Sequence, residues 1–363
     1  MQNTYLLLLL LCLFLPAKSQ NLLNNPESVV YDKVFDRYLV SNCGDGQIVQ
    51  IDNNGVQSYF NTQLTYTLGL HIAGDTLFVS SNDGPYSGIV GFLLSSGEII
   101  FHVEIPEKEL LNDIASDNAG NLYITDCEAN KIFKVDRSSM TYSILIGEGL
   151  GYPNGIIFDE TNNRLLVLNG LLAGRPILAV SLDDLSMSVV VETGISAIDG
   201  LTVDDYGNYY FSSWTTDRVY RYDPLFTNPP EIIAGNFADP ADIYYNLTDH
   251  LLAIPCFNGD TIIFLPYDPV GVDERGNDKT GLLHVSPNPF TGAFTIHSDL
   301  LKEPDVLVSI VDLNGRIVSS TAPLTKTLAD KSVMIDGNNL REGVYIVMIR
   351  SADEEQNCKI IKQ

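Results

Sequence analysis

The segment Leu111-Asn-Asp-Ile-Ala-Ser-Asp-Asn-Ala-Gly-Asn-Leu-Tyr-Ile-Thr-Asp126 carries an apolar residue, Ile114, then an Asp-rich turn around Gly120, then a β-rich run. The same pattern recurs six times between Pro26 and Phe264. Aligned on the apolar residue, the copies fall at Val29, Leu70, Ile114, Ile156, Leu201 and Ile243, spaced by 41, 44, 42, 45 and 42 residues. A steady period in the low forties, filled with short strands and turns, predicts a β-propeller with six blades around one channel. A sandwich or a string of small β domains would not hold one period over so long a stretch. Side chains that successive blades place in the same register then converge on the channel.

Within each copy the period-2 alternation predicts four strands. In the third blade they lie near Ile114, at Leu122–Thr125, at Lys131–Asp136 and at Tyr142–Ile146; the fifth repeats this from Leu201 to Ala234. Turns such as Asp204-Asp-Tyr-Gly-Asn208 join the first strand to the second, with Gly and Asn able to take positive φ. The sixth blade lacks a fourth strand after Thr261–Leu265, and residues 21–24 are expected to close the ring by pairing onto it, which removes an exposed edge.

The chain has 46 acidic against 21 basic residues, a net charge of −25. That field repels phosphate backbones and excludes nucleic acid as a partner, while favouring cations and solubility. Leu6–Leu15 is an apolar run too short to span a bilayer, broken by Pro16 and followed by Ala17-Lys18-Ser19. Residues 1–19 therefore read as a signal peptide, although no Lys or Arg precedes the run. No later stretch is apolar enough for a transmembrane segment. Beyond Cys12 there remain Cys43, Cys127, Cys256 and Cys358. The first three share one register on different blades, a spacing too wide for a typical bridge, so they read as buried thiols, with a bridge between blades 1 and 6 as the alternative.

These features divide the chain into a propeller at 20–268, a polar linker at 269–284 and a small antiparallel β-sandwich at 285–363. The last segment contains Ser286-Pro-Asn-Pro-Phe290, Val311-Asp-Leu-Asn-Gly-Arg-Ile-Val318, Leu340-Arg-Glu-Gly-Val-Tyr-Ile-Val347 and Lys359-Ile-Ile-Lys362. With these runs in this order it resembles the type A C-terminal sorting domain of the type IX secretion system. The resemblance implies export via the periplasm, handling by that secretion machinery, and release or attachment at the cell surface.

Two residues before each apolar anchor stand Glu27, Leu68, Asn112, Asn154, Asp199 and Ala241. Four blades thus place oxygen-bearing side chains in the channel register. Two carboxylates and two amides make a hard-oxygen set suited to Ca²⁺ or a similar divalent cation. The competing reading is that Asn and Asp begin strands because they make Asx turns.

The flanking segments Pro26-Glu-Ser-Val-Val-Tyr-Asp32, Leu111-Asn-Asp113, Tyr152-Pro-Asn-Gly155 and Ile198–Asn208 resemble the SMP-30/gluconolactonase family. The resemblance implies a divalent metal on Glu27, Asn154 and Asp199, a substrate or water contact at Asn112, Asp199 as catalytic base, and hydrolysis of lactones or sugar-like esters bound in the channel. The chain departs from the family at Leu110, where an Arg often grips substrate. It departs from the related paraoxonases at Leu68, where they carry a His; nearby His71 reads as structural. Trp214 could stack on a sugar-like ring or pack in the core. Two functions follow as expectations: a secreted divalent-cation-dependent lactone or ester hydrolase, or a non-catalytic NHL-like propeller that binds a protein or glycan at the cell surface. The register of Glu27, Asn112, Asn154 and Asp199 favours the first; Leu110 and the lack of a channel His favour the second.

Overall fold

A computed structural model describes residues 21–267, 283–286, 290–302, 306–312, 317–320, 332–341, 343–351 and 355–362. The signal peptide expected at 1–19, and all but the end of the linker expected at 269–284, lie outside the described residues. The chain divides into two compact units, Met1–Tyr267 and Asp268–Gln363.

The first unit is a six-bladed β-propeller. Its innermost strands are Pro26–Asp32, Thr67–Ala73, Leu111–Ser116, Pro153–Asp159, Ile198–Val203 and, shorter, Tyr244–Asn246. Each borders the next, and the sixth borders the first, so the ring is closed. Blades 1 to 5 are four-stranded antiparallel sheets in sequence order; blade 6 has three strands among the described residues. The turns form as the residue types require. In blade 3, Asp117 Oδ1 accepts the amide of Asn121 at 2.9 Å, Gly120 takes φ 86°, and Tyr123 Oη reaches back to Asp117 Oδ2 at 2.8 Å. Blade 5 repeats this with Asp204, Gly207, Asn208 and Tyr210. Apolar faces of adjacent blades then bury against each other; Phe211, Leu166, Leu168 and Ile177 form one such interface.

Ring closure differs from the strand pairing expected of residues 21–24. Those residues form no strand. Instead Leu23 is buried with Val29, Val40 and Ala253, while the Leu22 amide donates to Gln57 Oε1 and the Asn25 amide to Asp260 Oδ1. With the Leu22 and Asn24 amides taken by Gln57 and Asn42 of blade 1, and Asn21 Nδ2 donating to Asp260 O of blade 6, they wedge the seam rather than extend a sheet. The seam itself is a parallel bridge from Ser28 to Asp242, with the Asp242 amide donating to Glu27 O at 2.9 Å.

The register one residue before each anchor ties blade to blade. Ser28 Oγ donates to Asp242 Oδ2 at 2.5 Å and accepts the Leu70 amide at 3.1 Å; Asp113 Oδ2 accepts the Ile156 amide at 2.8 Å. Gly69, Gly155 and Gly200 fill the same register where the next blade's backbone approaches. A Cβ on Gly69 would lie 2.2 Å from Asn112 O. Gly69→Ala is therefore expected to destabilise the propeller by about 3 kcal/mol, since backbone has to move. A denaturant midpoint unchanged from wild type would show that the blades can separate there without cost.

The second unit has two antiparallel sheets. One pairs His284–Ser286, Ala293–His297 and Ser332–Asp336; the other pairs Ile317–Ser320, Leu307–Asp312, Gly343–Arg350 and Glu355–Lys362. Phe290, Phe294, Ile296, Ile310, Val347 and Ile360 pack into one core, as a sandwich requires. No helix among the described residues is long and apolar enough to cross a membrane.

Candidate metal and substrate site

In blades 1 to 5 the pairing between the first and second strands breaks its register at one place, opposite residues 27–28, 68–69, 112–113, 154–155 and 199–200. A bulge bends the strand and re-aims its side chains. Here it turns Glu27, Leu68, Asn112, Asn154 and Asp199 toward one end of the channel. Hydroxyls on the second strands hold three of the bulges: Ser41 Oγ accepts the Ser28 amide, Thr125 Oγ1 the Asp113 amide and Ser212 Oγ the Gly200 amide, at 2.9–3.0 Å. The Ser41 and Ser212 hydroxyls themselves donate to Leu68 O and Ala241 O of the following blade.

All four oxygen-bearing residues of the register line one cavity of about 440 Å³, with Leu68, Leu110, Trp214 and Phe257 in its wall. They are buried, with 4% exposure for Glu27, 5% for Asn112, 7% for Asn154 and 4% for Asp199. Ala241 does not line it; blade 6 contributes Phe257 instead. Asn112 Oδ1, Asn154 Oδ1 and Asp199 Oδ1 are buried and have no hydrogen-bond partner. Three such orphans in one site are costly unless something satisfies them.

The opposite end of each group is tied down, which decides which oxygen is left free. Asn112 Nδ2 lies 4.0 Å from Cys127 Sγ, Asn154 donates to the Asp199 carboxylate, and Trp214 Nε1 donates to Asp199 Oδ2. Trp214 leans on Phe257 at 4.9 Å between ring centres. Sequence reasoning offered Trp214 as a stacking platform or core residue and missed its hydrogen bond to Asp199. It also missed Cys127 as a partner of Asn112; the only hint was the shared separation of fifteen residues between each pair. Cys43, Cys127, Cys256 and Cys358 are free thiols.

The electrostatics are those of crowded carboxylates. Burial, then Asp199 and Asp113, hold Glu27 well above the usual carboxylate range. Burial raises Asp199 to about 7 against the opposing hydrogen bonds from Trp214 and Asn154. Asp113 and Asp242, further along the channel, are raised as well, chiefly by burial. Among the described residues no cluster of three or more His, Cys, Asp or Glu side chains is arranged for a metal. A cation here has to be completed by amide oxygens, and the orphaned oxygens of Asn112 and Asn154 are of that kind. The donor set fits a hard divalent ion.

His71 belongs to a second cavity, which also lines with Asp113 and Asp242 but not with the four site residues. Its Nε2 pairs with Ser116 Oγ at 2.8 Å, and burial with Arg137 nearby lowers its pKa to about 4. It is a neutral structural histidine.

No curated protein matches the chain in sequence. Solved structures share its fold. A gluconolactonase from Xanthomonas campestris superposes with TM-score 0.57 at 15% identity, covering 66% of this chain and 85% of that one. A calcium-binding regucalcin from Agrobacterium tumefaciens gives 0.54 at 17%, covering 65% and 83%. A chain of the nidogen/laminin complex gives 0.51 at 15%, covering 62% and 91%. At these identities the likeness concerns the fold alone. Residues 284–363 match the secretion system C-terminal sorting domain, which marks the protein for export to the cell surface or beyond. Residues 25–227, more than half the chain, match the SMP-30/gluconolactonase/LRE-like region, and the protein belongs to that family.

Proposed function

We propose that the propeller is a divalent-cation-dependent lactone or ester hydrolase working outside the cell, with calcium as its natural ion. The observation that supports it most is the trio of buried, unpartnered oxygens on Asn112, Asn154 and Asp199. Glu27, Asn154 and Asp199 would hold the cation, which supplies Lewis-acid polarisation of a bound carbonyl. Glu27 and Asp199 contribute a charge of −2, enough to neutralise a divalent ion within the cavity. Trp214 fixes the orientation of Asp199, so that Oδ1 faces the cavity and receives the proton of an attacking water. Asn112 Oδ1 accepts a hydrogen bond from that water or from substrate. The apolar wall excludes bulk solvent and strengthens each of these interactions.

The test is a cation titration followed by a lactone panel. Saturating calcium at a hundredfold over Kd adds about 2.7 kcal/mol of stability. That should raise the propeller's melting temperature by about 5–10 °C, since 1 kcal/mol moves a domain of this size by about 2–4 °C. The shift should depend on pH. Asp199 sits at about 7 in the cation-free fold against 3.8 when unfolded. A carboxyl raised by folding favours its protonated form, so cation-free stability falls as pH climbs from about 4 to about 7. Cation binding needs the carboxylates ionised, so the calcium shift should be large at pH 8 and small at pH 5. A melting temperature indifferent to calcium, magnesium, zinc and chelator at pH 8 would leave the non-catalytic binding propeller as the better reading.

A further inference from the structure

We infer that the cavity takes a lactone or ester with an apolar body and an anionic group remote from the reacting carbonyl, and that Arg175 reads the anion. This deepens the hydrolase reading and rests on it for the word "substrate", but the recognition itself can be tested by binding alone.

The walls argue against a polyhydroxylated ligand. Leu68, Leu110, Leu171, Ile198, Trp214 and Phe257 make the lining mainly apolar. Apart from the Ser196 hydroxyl, the uncharged hydrogen-bonding groups of the lining are already committed. Glu27, Asn154 and Asp199 would hold the cation, Asn112 Oδ1 serves the water or the reacting group, and the hydroxyls of Tyr66 and Tyr152 are bonded to the thiols of Cys43 and Cys127. A sugar lactone brought into such a pocket would lose water from several hydroxyls and regain few partners. An alkyl or aryl body loses nothing and buries apolar area.

Arg175 is the one cationic side chain lining the cavity. The chain is strongly acidic, yet this guanidinium makes no ion pair and no side-chain hydrogen bond among the described residues. Its backbone, in contrast, is fixed: the amide donates to Leu172 O at 2.9 Å, the carbonyl accepts from Thr193 Oγ1 at 2.7 Å, and φ is 48°, a region non-glycine residues seldom take. A pinned backbone fixes where this half-buried guanidinium emerges, and with no protein partner it is open to pair with an anion in the cavity. Charge balance agrees. A divalent ion cancels Glu27 and Asp199, and Arg175 then leaves the loaded cavity with one positive charge to be met by ligand. Leu171, beside it and 76% exposed, extends the apolar surface outward.

The experiment compares three lactones with the calcium-loaded full chain: glucono-δ-lactone, a γ-lactone with an alkyl chain, and the same γ-lactone ending in a carboxylate. The expected order of kcat/KM is carboxylated above neutral alkyl above gluconolactone. In Arg175→Gln the preference for the carboxylated over the neutral alkyl lactone should fall roughly tenfold, through KM, the loss of one charge-assisted contact. Arg175→Lys should restore part of it. A calcium-dependent melting shift retained in both variants shows that they are folded. Gluconolactone as the best substrate, or a preference unchanged in Arg175→Gln, overturns the inference. If no lactone is hydrolysed, the hydrolase reading fails, and calorimetry with 4-phenylbutyrate and 4-phenylbutanol decides the recognition. Tighter binding of the carboxylate that disappears in Arg175→Gln sustains it; equal binding of the two, or a preference that survives the substitution, refutes it.

Discussion

Asp199→Ala is expected to remove hydrolysis and the calcium response in one step. Asp199 would be both a ligand and the proton acceptor, so its loss should cost about 4 kcal/mol of transition-state stabilisation, roughly 10³-fold in kcat/KM. The same position gives an opposite effect on cation-free stability. Asp199 is buried beside Glu27, which burial first and then the nearby Asp199 hold above the usual carboxylate range. Asp199→Asn keeps an oxygen for the Trp214 N–H and removes the crowded charge. Its cation-free form should melt no lower than wild type at pH 8, while calcium no longer shifts it. Such a split is the mark of a residue kept for chemistry at some cost to the fold. A variant that retained the full calcium shift would refute the placement of Asp199 among the ligands. Activity within tenfold of wild type would refute its role as proton acceptor.

The second large effect concerns delivery. Deleting residues 285–363 should leave the propeller folded and binding calcium, with the protein held in the periplasm of a host that has the type IX system. The two units support this separately. The propeller's packing clusters draw on residues between Leu22 and Tyr267, and the sandwich core on residues between Leu283 and Ile360. A unit with its own closed core folds as a unit. Because the deleted residues are the segment that matches the sorting domain, surface and medium should lose nearly all of the protein. Fractionation with an antibody against the propeller measures it directly. Normal surface delivery of the truncated chain would refute the sorting role, and loss of its melting transition would refute the independence of the propeller.

Much of this molecule was legible as sequence. The strands of blades 3 and 5 were placed to within a few residues, because their turns are specified by neighbours: Asp117 and Asn121, or Asp204 and Asn208, bond over four residues. The register holding Glu27, Asn112, Asn154 and Asp199 followed from the period alone, since equivalent positions in a closed ring face one channel. What the chain's order could not specify depends on contacts made only after the ring closes. The bulges that aim Glu27, Asn112 and Asp199 are held by hydroxyls from the second strand, and Ser41 and Ser212 also bond into the next blade. Which oxygens remain free is set by Trp214 and Cys127, whose own strands decide whether they reach the site. Residues 21–24 looked like a closing strand, but Gln57 and Asn42 claimed the amides of Leu22 and Asn24 first. Ser28, Asp113 and Asp242 tie one blade to the next, which no local pattern announces. Arg175, far from any motif, gained meaning only from the cavity it lines. Local turn chemistry and periodicity act over a few bonds and can be read in one dimension. The satisfaction of a buried polar atom is a property of everything around it, and only the tertiary structure supplies that.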